Sequence, residues 1–524
     1  MNRGRALGIS IVAYGVLNSV LYAGLLPLWD GFDEPFHYSY VRRLAEAHQP
    51  PVIGQTTIPP DVWRSLLLAP ASHIVKRNIA SVITFDEYFR LPSEAREELR
   101  ARLLEVQADA TLTAGGSLNY EALQAPLAYA LMAAADAGRS RVRLVYRVLW
   151  LRILFGSLSA VLTGLIAWRF AGLLGLSDVL RNCLLFVLFS SQVFYATTAH
   201  VSNDWLAVPM FSMVLLATLI AYNKPAVRRF ALVGLVLGLA LLTKASLLAL
   251  VPFALAVAVL RRHVGPFLAA CLLTAGPWYV RNWILYRNVS AMQETAHGAA
   301  LTEVLRAALH VPWLTTLSTS AESAIWIGNN SATTFGFKTV VAALTLIVLA
   351  LALYGLAAVR HAPPPSERLV IAACLAYLCG LAYYAAVSFR YTNGAGVTIA
   401  PWYAEPLEPV VLCLCFLGIL RVWAAGRFAA IAMAWLSAYI IIATYTVKLI
   451  PFYSGHLVEH ARLGDLVRYY TQSFSTLRAN LGTTALFPPG LLLGLTSVVT
   501  AVALALAVAL SIAQWRYRPG REMP

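Results

Sequence analysis

Long apolar stretches alternate with short polar ones along most of the chain, and this pattern predicts membrane-spanning helices. A helix needs about 20 mostly apolar residues to cross a bilayer. The chain contains about twelve apolar runs, most of about this length and some shorter. They lie at 6–28, 148–168, 182–199, 204–222, 230–243, 245–260, 266–286, 339–359, 369–388, 405–423, 428–447 and 488–513. The sequence therefore predicts an all-α polytopic membrane protein with about twelve transmembrane helices.

The composition agrees with this prediction. Of 524 residues, 59% are hydrophobic and 12% are charged, whereas about a quarter of a soluble chain is charged. A soluble enzyme and a disordered scaffold are thereby excluded. All six cysteines fall inside apolar runs, where they are expected to pack as small hydrophobic side chains and not to bind zinc or form disulfides.

The charges predict the orientation of the helices. The chain has 40 Lys and Arg against 25 Asp and Glu, a net charge of +15. Basic residues collect at every second connection, the arrangement typical of cytoplasmic loops. We therefore expect both termini in the cytoplasm and no nucleic acid partner. The predicted inside set is Arg3, Arg5, Arg169, Arg181, Lys224, Arg228, Arg229, Arg261, Arg262, Arg360, Arg368, Arg421, Arg427, Arg516, Arg518 and Arg521.

This orientation assigns three segments to the outer face of a single domain, 1–524. The first and largest is 30–147, which holds more than half of the acids and is expected to form interfacial helices. The second, 288–338, is polar and poor in charge, and it is a candidate lid. The third, 448–489, has apolar residues at near-helical spacing and is expected to lie as an amphipathic helix on the outer surface.

The segment 230–260 is too long for one span and too short for two. Both flanks are basic, so the chain is expected to enter the membrane and return, with its turn at 243–246. This turn would place Lys244 at membrane depth, where a charge usually marks a site or a pathway. The alternative is a lysine that extends to the outer interface.

The first outer loop opens with WDGFDEPFH at 29–37. Pro35 suits the first turn of a helix, and Asp33 and Glu34 suit its N-terminus, so a capping role is one interpretation. The other is a functional site, since Asp33, Glu34 and His37 are close enough along a helix to gather on one side. Such a group could bind a divalent cation or present a carboxylate as a base beside an imidazole.

Further polar residues fall at the predicted outer ends of other helices. Asp204 stands at the mouth of a span, where an unpaired carboxylate would be costly. Arg281 lies near the predicted outer end of the span 266–286. Acids and cations on one face suit an enzyme that handles an anionic lipid head group together with an alcohol nucleophile.

These residues resemble, in order along 1–290, the motifs of the GT-C superfamily of integral-membrane glycosyltransferases. DEPFH at 33–37 is similar to the acidic first-loop motif of that family, and YEALQAPLAY at 120–129 to its HPPLYY stretch. RILFGS at 152–157 is similar to the RLxS motif of the family, and Asn203 with Asp204 is similar to its second acidic site. LLTK at 241–244 matches the LLTK motif of the family, and Arg281 with Asn282 matches its RN pair.

The resemblance implies a GT-C-like bundle that transfers a sugar from a polyprenyl-phosphate donor to an acceptor hydroxyl on the periplasmic face, with inversion. Asp33 would be the general base, with Glu34 as a second catalytic carboxylate. The donor and acceptor would be oriented by His37, Tyr120, Glu121, Gln124, Asn203 and Asp204. The donor phosphate would be bound by Lys244 and Arg281. A divalent metal, Mg or Mn, remains open, with Asp33, Glu34, His37 and Asp204 as candidate ligands. The acceptor would be a glycan, a lipid or a protein.

Two departures from the family pattern concern the binding of the donor. Gln124 stands where many relatives have His, and Trp402-Tyr403 stands where they have Arg-Tyr. Arg390 is the candidate to replace that arginine. The alternatives are a transporter or flippase of lipid-linked glycans, although no inverted repeat is visible, and a ligase or polymerase of such glycans.

Overall fold

The computed structural model describes residues 3–107, 117–289, 300–332, 335–392, 394, 401–457 and 463–517. The regular structure within these ranges is helical, and no β-strand forms there. Two isolated β-bridges, Thr57 with Leu118 and Ala71 with Thr84, join parts of the first loop.

The chain begins with one long helix, followed by a loop region of short helices. These are α1 (Arg3–Leu25), α2 (Glu34–Ala47), α3 (Pro60–Leu66), α4 (His73–Asn78), α5 (Phe85–Arg90), α6 (Ser93–Glu105), a 3₁₀ turn (Tyr120–Leu123) and α7 (Leu127–Asp136).

Seven helices follow, up to residue 286. They are α8 (Leu144–Leu173), α9 (Asp178–Phe189), α10 (Gln192–Thr198), α11 (Asp204–Asn223), α12 (Val227–Leu241), α13 (Leu250–Leu260), which a 3₁₀ turn (Ala245–Ala249) precedes, and α14 (Val264–Tyr286).

The remainder has ten α-helices within the described ranges. They are α15 (Leu301–Ala308), α16 (Trp313–Ser323), α17 (Phe337–Arg360), α18 (Pro365–Tyr391), α19 (Glu408–Arg421), α20 (Trp423–Ala443), α21 (Ile450–Tyr453), α22 (Leu463–Gln472), α23 (Phe474–Thr484) and α24 (Pro489–Arg516). Two 3₁₀ turns (Pro401–Tyr403 and Glu405–Leu407) precede α19, and a π-helical turn (Thr444–Leu449) joins α20 to α21.

Seven helices of the described chain are long and apolar enough to cross a membrane. They are α1, α8, α11, α17, α18, the continuous helix Trp423–Tyr453 and α24. The count becomes eight if α9 and α10, which meet at an angle of 61°, form one broken span. The protein is therefore an all-α integral membrane protein, as the sequence predicts.

The predicted number of about twelve spans is not confirmed. Each of the twelve apolar runs does correspond to helical structure, but several of the helices are short. The run 405–423 contains only the 14 residues of α19, and 230–243 only the 15 of α12. Apolar runs of this length occur both in membrane spans and in buried helices, so periodicity alone does not distinguish the two.

The break predicted near residue 243 is confirmed. Helix α12 ends at Leu241, Lys244 has an extended backbone (φ −152°, ψ 133°), and a 3₁₀ turn leads into α13. Helix α12 packs closely on α14, because a Cβ added at Gly234 would lie 2.1 Å from the carbonyl oxygen of Phe267. Small residues allow this approach of two backbones in a membrane protein.

The first loop packs against the segment near the C-terminal helix. The Arg96 side chain donates to Asn480 Oδ1 at 2.8 Å, and Arg100 donates to the carbonyl oxygen of Ala485 at 2.6 Å. Part of the predicted amphipathic segment, 458–462, lies outside the described residues, as do 290–299 and 333–334 of the candidate lid. Both roles stay predictions.

Candidate functional site

The site forms where the chain leaves α1 and enters α2. Two non-glycine residues of this link, Trp29 (φ 68°) and Asp33 (φ 53°), have a left-handed backbone, which is uncommon outside glycine. The surrounding contacts hold this conformation. The Trp29 indole donates to Ser65 Oγ at 2.8 Å, and Asp30 accepts hydrogen bonds from Ser331 and Tyr453.

Asp33 occupies the N-cap position of α2, but its carboxylate does not cap the helix. It accepts a hydrogen bond from the Tyr120 hydroxyl instead, at 2.5 Å. The capping interpretation is therefore wrong for its side chain. Burial raises the pKa of Asp33, and the nearby carboxylate of Asp204 raises it further, while Tyr120 and Lys244 act in the opposite direction. A half-buried carboxylate with a raised pKa is suited to take up a proton.

Glu34, the next residue, lies in a different environment. It is fully buried and forms a two-point ion pair with Arg152, and it also accepts from the backbone N–H of Val201 at 2.9 Å. Burial acts to raise the pKa of Glu34, but the Arg152 guanidinium outweighs it and the net shift is downward. The contacts of this carboxylate join α2 to α8, and its catalytic role stays a prediction.

His37 and Glu121 form an acid–imidazole pair near Asp33. His37 Nδ1 hydrogen-bonds the Tyr129 hydroxyl at 2.8 Å and lies 3.7 Å from Glu121 Oε2. Burial keeps the pKa of His37 well below its usual value. Burial also raises the pKa of Glu121 to about 8, with the carboxylate of Asp33 adding to the shift. Both shifts favour the uncharged forms of these two groups.

The loop that contains Glu121 is fixed to the turn of Lys244. Asn203 Nδ2 donates to Gln124 Oε1 at 3.0 Å and to the carbonyl oxygen of Thr243 at 3.1 Å. The backbone N–H of Leu127 donates to the carbonyl oxygen of Leu242 at 2.9 Å. Asn203 and Gln124, both predicted from the sequence, therefore connect the first loop to the 243–246 turn.

Lys244 and Asp204 form a buried ion pair at this turn. Their side chains are 4% and 6% exposed, respectively, which contradicts the alternative of a lysine that extends to the interface. The ammonium also lies 4.7 Å from the centre of the Tyr403 ring, a cation–π contact. Both charges are close enough to Asp33 to shift its pKa.

Aromatic residues adjoin this charged cluster. Phe32 stacks on Trp402 with ring centres 4.5 Å apart, Trp402 adjoins Tyr403, and the ring centres of Phe36 and Tyr120 are 4.1 Å apart. The sequence departs from the family pattern at Trp402 and Tyr403, and the sequence analysis predicts no site role for them. Their contacts with Phe32 and Lys244 join residues far apart in the chain, so no local pattern could have indicated them.

The two other predicted phosphate ligands, Arg281 and Arg390, have different partners. The Arg281 guanidinium donates to the carbonyl oxygen of Pro51 at 3.0 Å and stacks on Trp278. Arg390 lies 3.7 Å from Glu303 and lines a separate cavity of about 390 Å³ with Arg306 and Phe389. Lys244 is the predicted phosphate ligand that the fold places beside Asp33.

The four candidate metal ligands do not converge on one point. Asp33 faces Tyr120, Glu34 faces Arg152, His37 faces Tyr129 and Asp204 faces Lys244. In the part of the chain that the structure describes, no three His, Cys, Asp or Glu side chains are grouped so that they could hold a metal ion. This donor set does not fit a divalent cation, and no step below involves one.

Comparisons with known proteins give two similarities of fold. The chain matches no family model and no curated protein. It is similar to ArnT from Cupriavidus metallidurans, solved with undecaprenyl phosphate, at a TM-score of 0.47 and 13% identity over 99% of this chain and 81% of that one. It is also similar to the oligosaccharyltransferase AglB from Archaeoglobus fulgidus, solved with an inhibitory peptide and dolichol-phosphate, at a TM-score of 0.36 and 11% identity over 98% of this chain and 56% of that one.

Proposed function

We propose that the protein is a glycosyltransferase that moves a sugar from a polyprenyl-phosphate donor to an acceptor hydroxyl, with inversion, on the periplasmic face of a bacterial inner membrane. The observation that carries the proposal is the position of Asp33. Its carboxylate does not cap α2 and accepts a hydrogen bond from Tyr120 instead. It is also close enough to Lys244 and Asp204 for their charges to shift its pKa.

Asp33 is the general base of the proposed reaction. The acceptor oxygen forms its new bond to the anomeric carbon on the side opposite the phosphate, and its proton passes to Asp33. A raised pKa strengthens the basicity of this carboxylate, and a base is most effective when its pKa approaches the working pH. Tyr120 fixes the direction in which the carboxylate points.

Lys244 is the proposed electrostatic partner of the leaving group. As the bond between the anomeric carbon and the phosphate oxygen breaks, its electron pair remains on the polyprenyl phosphate, which gains negative charge. A preorganised cation stabilises such a developing charge. Asp204 and the Tyr403 ring position the ammonium group, so Asp204 acts through Lys244.

The neutral groups behind Asp33 suit an uncharged sugar or acceptor. His37 and Glu121 can exchange hydrogen bonds with hydroxyl groups without adding net charge near pH 7. Phe32, the neighbour of Asp33 in the chain, stacks on Trp402 and adds an apolar surface. We therefore assign orientation of the substrates to His37, Glu121 and Gln124, as the resemblance implies.

The experiment is transfer of a radiolabelled sugar from a set of polyprenyl-phosphate donors by the purified full chain in detergent. Asp33→Asn is expected to reduce transfer by at least about 100-fold, since a general base contributes a factor of about 10²–10⁴. Asp86→Asn is the matched control, because Asp86 is another carboxylate of the first loop and pairs with His73 and Arg90 away from the site. Transfer by Asp33→Asn at the wild-type rate would refute the assignment.

A further inference from the structure

A second cavity lies beside the candidate site and has a different chemistry. It has a volume of about 360 Å³ and is formed by residues of α9, α16, α17, α19 and α20 and by the turn before α19. Its walls are mostly apolar, and among the described residues its ionisable lining consists of Glu405 and Glu408, with no Lys, Arg or His in the lining. The size falls in the range of small-molecule sites, about 300–1,000 Å³.

The two carboxyl groups are neighbours and are only partly satisfied. Each influences the ionisation of the other, and Glu408 also contacts Ser191. Glu405 is 3% exposed, yet its Oε1 has no hydrogen-bond partner among the described residues, and the same is true of Glu408 Oε2. A buried polar atom without a partner costs free energy, so the cavity presents acceptor atoms that lack a donor.

The charge of this pair selects its ligand. Two adjacent carboxyl groups in an apolar cavity cannot both ionise without strong repulsion, so the pair holds at most one negative charge. Lys244 of the neighbouring candidate site is already paired with Asp204. A phosphate head group would be repelled, whereas an ammonium group supplies both the positive charge and the missing donors.

The mouth of the cavity opens towards the lipid-facing side of α17. Leu344 and Val348 line both this cavity and an adjoining apolar groove on the same helix. Val348 is 62% exposed, and only 22% of the apolar window of α17 is buried inside the protein. A ligand with an apolar chain can therefore enter from the bilayer.

We propose that this cavity binds a membrane amphiphile with an ammonium head group and an apolar chain, with Glu405 and Glu408 on the ammonium. The site is distinct from the polyprenyl-phosphate site proposed above, because the head groups of the two ligands have opposite charges. The inference does not depend on the transferase activity, since it stands on the cavity and its two carboxyl groups.

The test uses three probes with the same chain and different head groups. The purified full chain in an uncharged detergent is mixed with octadecylamine, octadecanol or octadecyl phosphate, and bound probe is counted by native mass spectrometry. We expect the amine to bind about tenfold more tightly than the alcohol, the ratio that one charge-assisted contact supplies. The double variant Glu405→Gln/Glu408→Gln is expected to lose this preference, and Ser437→Ala, on the same cavity wall, to keep it.

Three results would overturn the proposal: equal binding of amine and alcohol, a preference that survives in the double variant, or a preference for the phosphate. Folding of the variants is checked by size-exclusion elution. A second measurement on the wild-type chain needs no variant. Dicyclohexylcarbodiimide modifies carboxyl groups in apolar surroundings, and peptide mass spectrometry would show whether octadecylamine, and not octadecanol, protects Glu405 and Glu408. Equal labelling with either probe would also contradict the proposal.

Discussion

The side chains of Glu34 and Arg152 form an ion pair that is fully buried, across 118 positions of the sequence. Arg152 also donates to the carbonyl oxygens of Leu26 and Pro27 at 2.6 and 3.0 Å, respectively. The pair therefore joins α2 and α8 to the end of α1. Because Glu34 is held in this way, α2 begins in one orientation, and Asp33 just before it points towards Tyr120.

Arg152→Ala is expected to destabilise the protein, by about 3–5 kcal/mol, because it leaves the Glu34 carboxylate buried without its counterion. Thermal unfolding in detergent measures the effect. The double variant Glu34→Gln/Arg152→Gln removes both charges and is expected to recover part of the loss. A melting temperature for Arg152→Ala equal to that of the wild type would show that the pair does not support the fold.

Lys244→Met combined with Asp204→Asn removes the ion pair without leaving a lone charge. We expect the KM for the polyprenyl-phosphate donor to rise by about tenfold or more, the loss of one charged hydrogen bond to phosphate. Arg390→Met is the matched control, since Arg390 pairs with Glu303 in the separate cavity. A rise in KM for the control alone would reassign phosphate binding to Arg390.

Tyr120→Phe tests how the base is tuned. The Tyr120 hydroxyl donates to Asp33 and so favours its ionised form. Without this hydrogen bond, the pKa of Asp33 rises further. On acidification, Asp33 is then protonated, and so stops acting as a base, at a higher pH than in the wild type. The acidic limb of kcat/KM against pH is expected to shift upward in the variant. An unshifted limb would show that another group controls it.

The orientation of the chain can be checked by cysteine labelling of intact cells. The exposed Cys379 is first replaced by serine, since the other five cysteines are buried. A membrane-impermeant maleimide is expected to label Ser93→Cys in the first loop and not Pro225→Cys between α11 and α12, both at exposed positions. The opposite pattern would invert the proposed topology and place Asp33 in the cytoplasm.

Much of the architecture follows from patterns that are local in the sequence. Apolar runs mark the long helices because a bilayer requires all backbone polar groups to be paired within a segment. The break before Lys244 is visible in the same way, since basic residues flank a run too short for two spans. The motifs that resemble a glycosyltransferase family also indicated Asp33, Asp204 and Lys244 as neighbours on one face.

The different surroundings of two adjacent acids were decided by the tertiary structure. Asp33 and Glu34 are equivalent by sequence, and only the distant partners Tyr120 and Arg152 distinguish a half-buried carboxylate beside Lys244 from a buried counterion. The ionisation of a carboxyl group depends on burial and on charges within a few ångströms. The sequence determined which groups were present, and the fold determined what each of them faces.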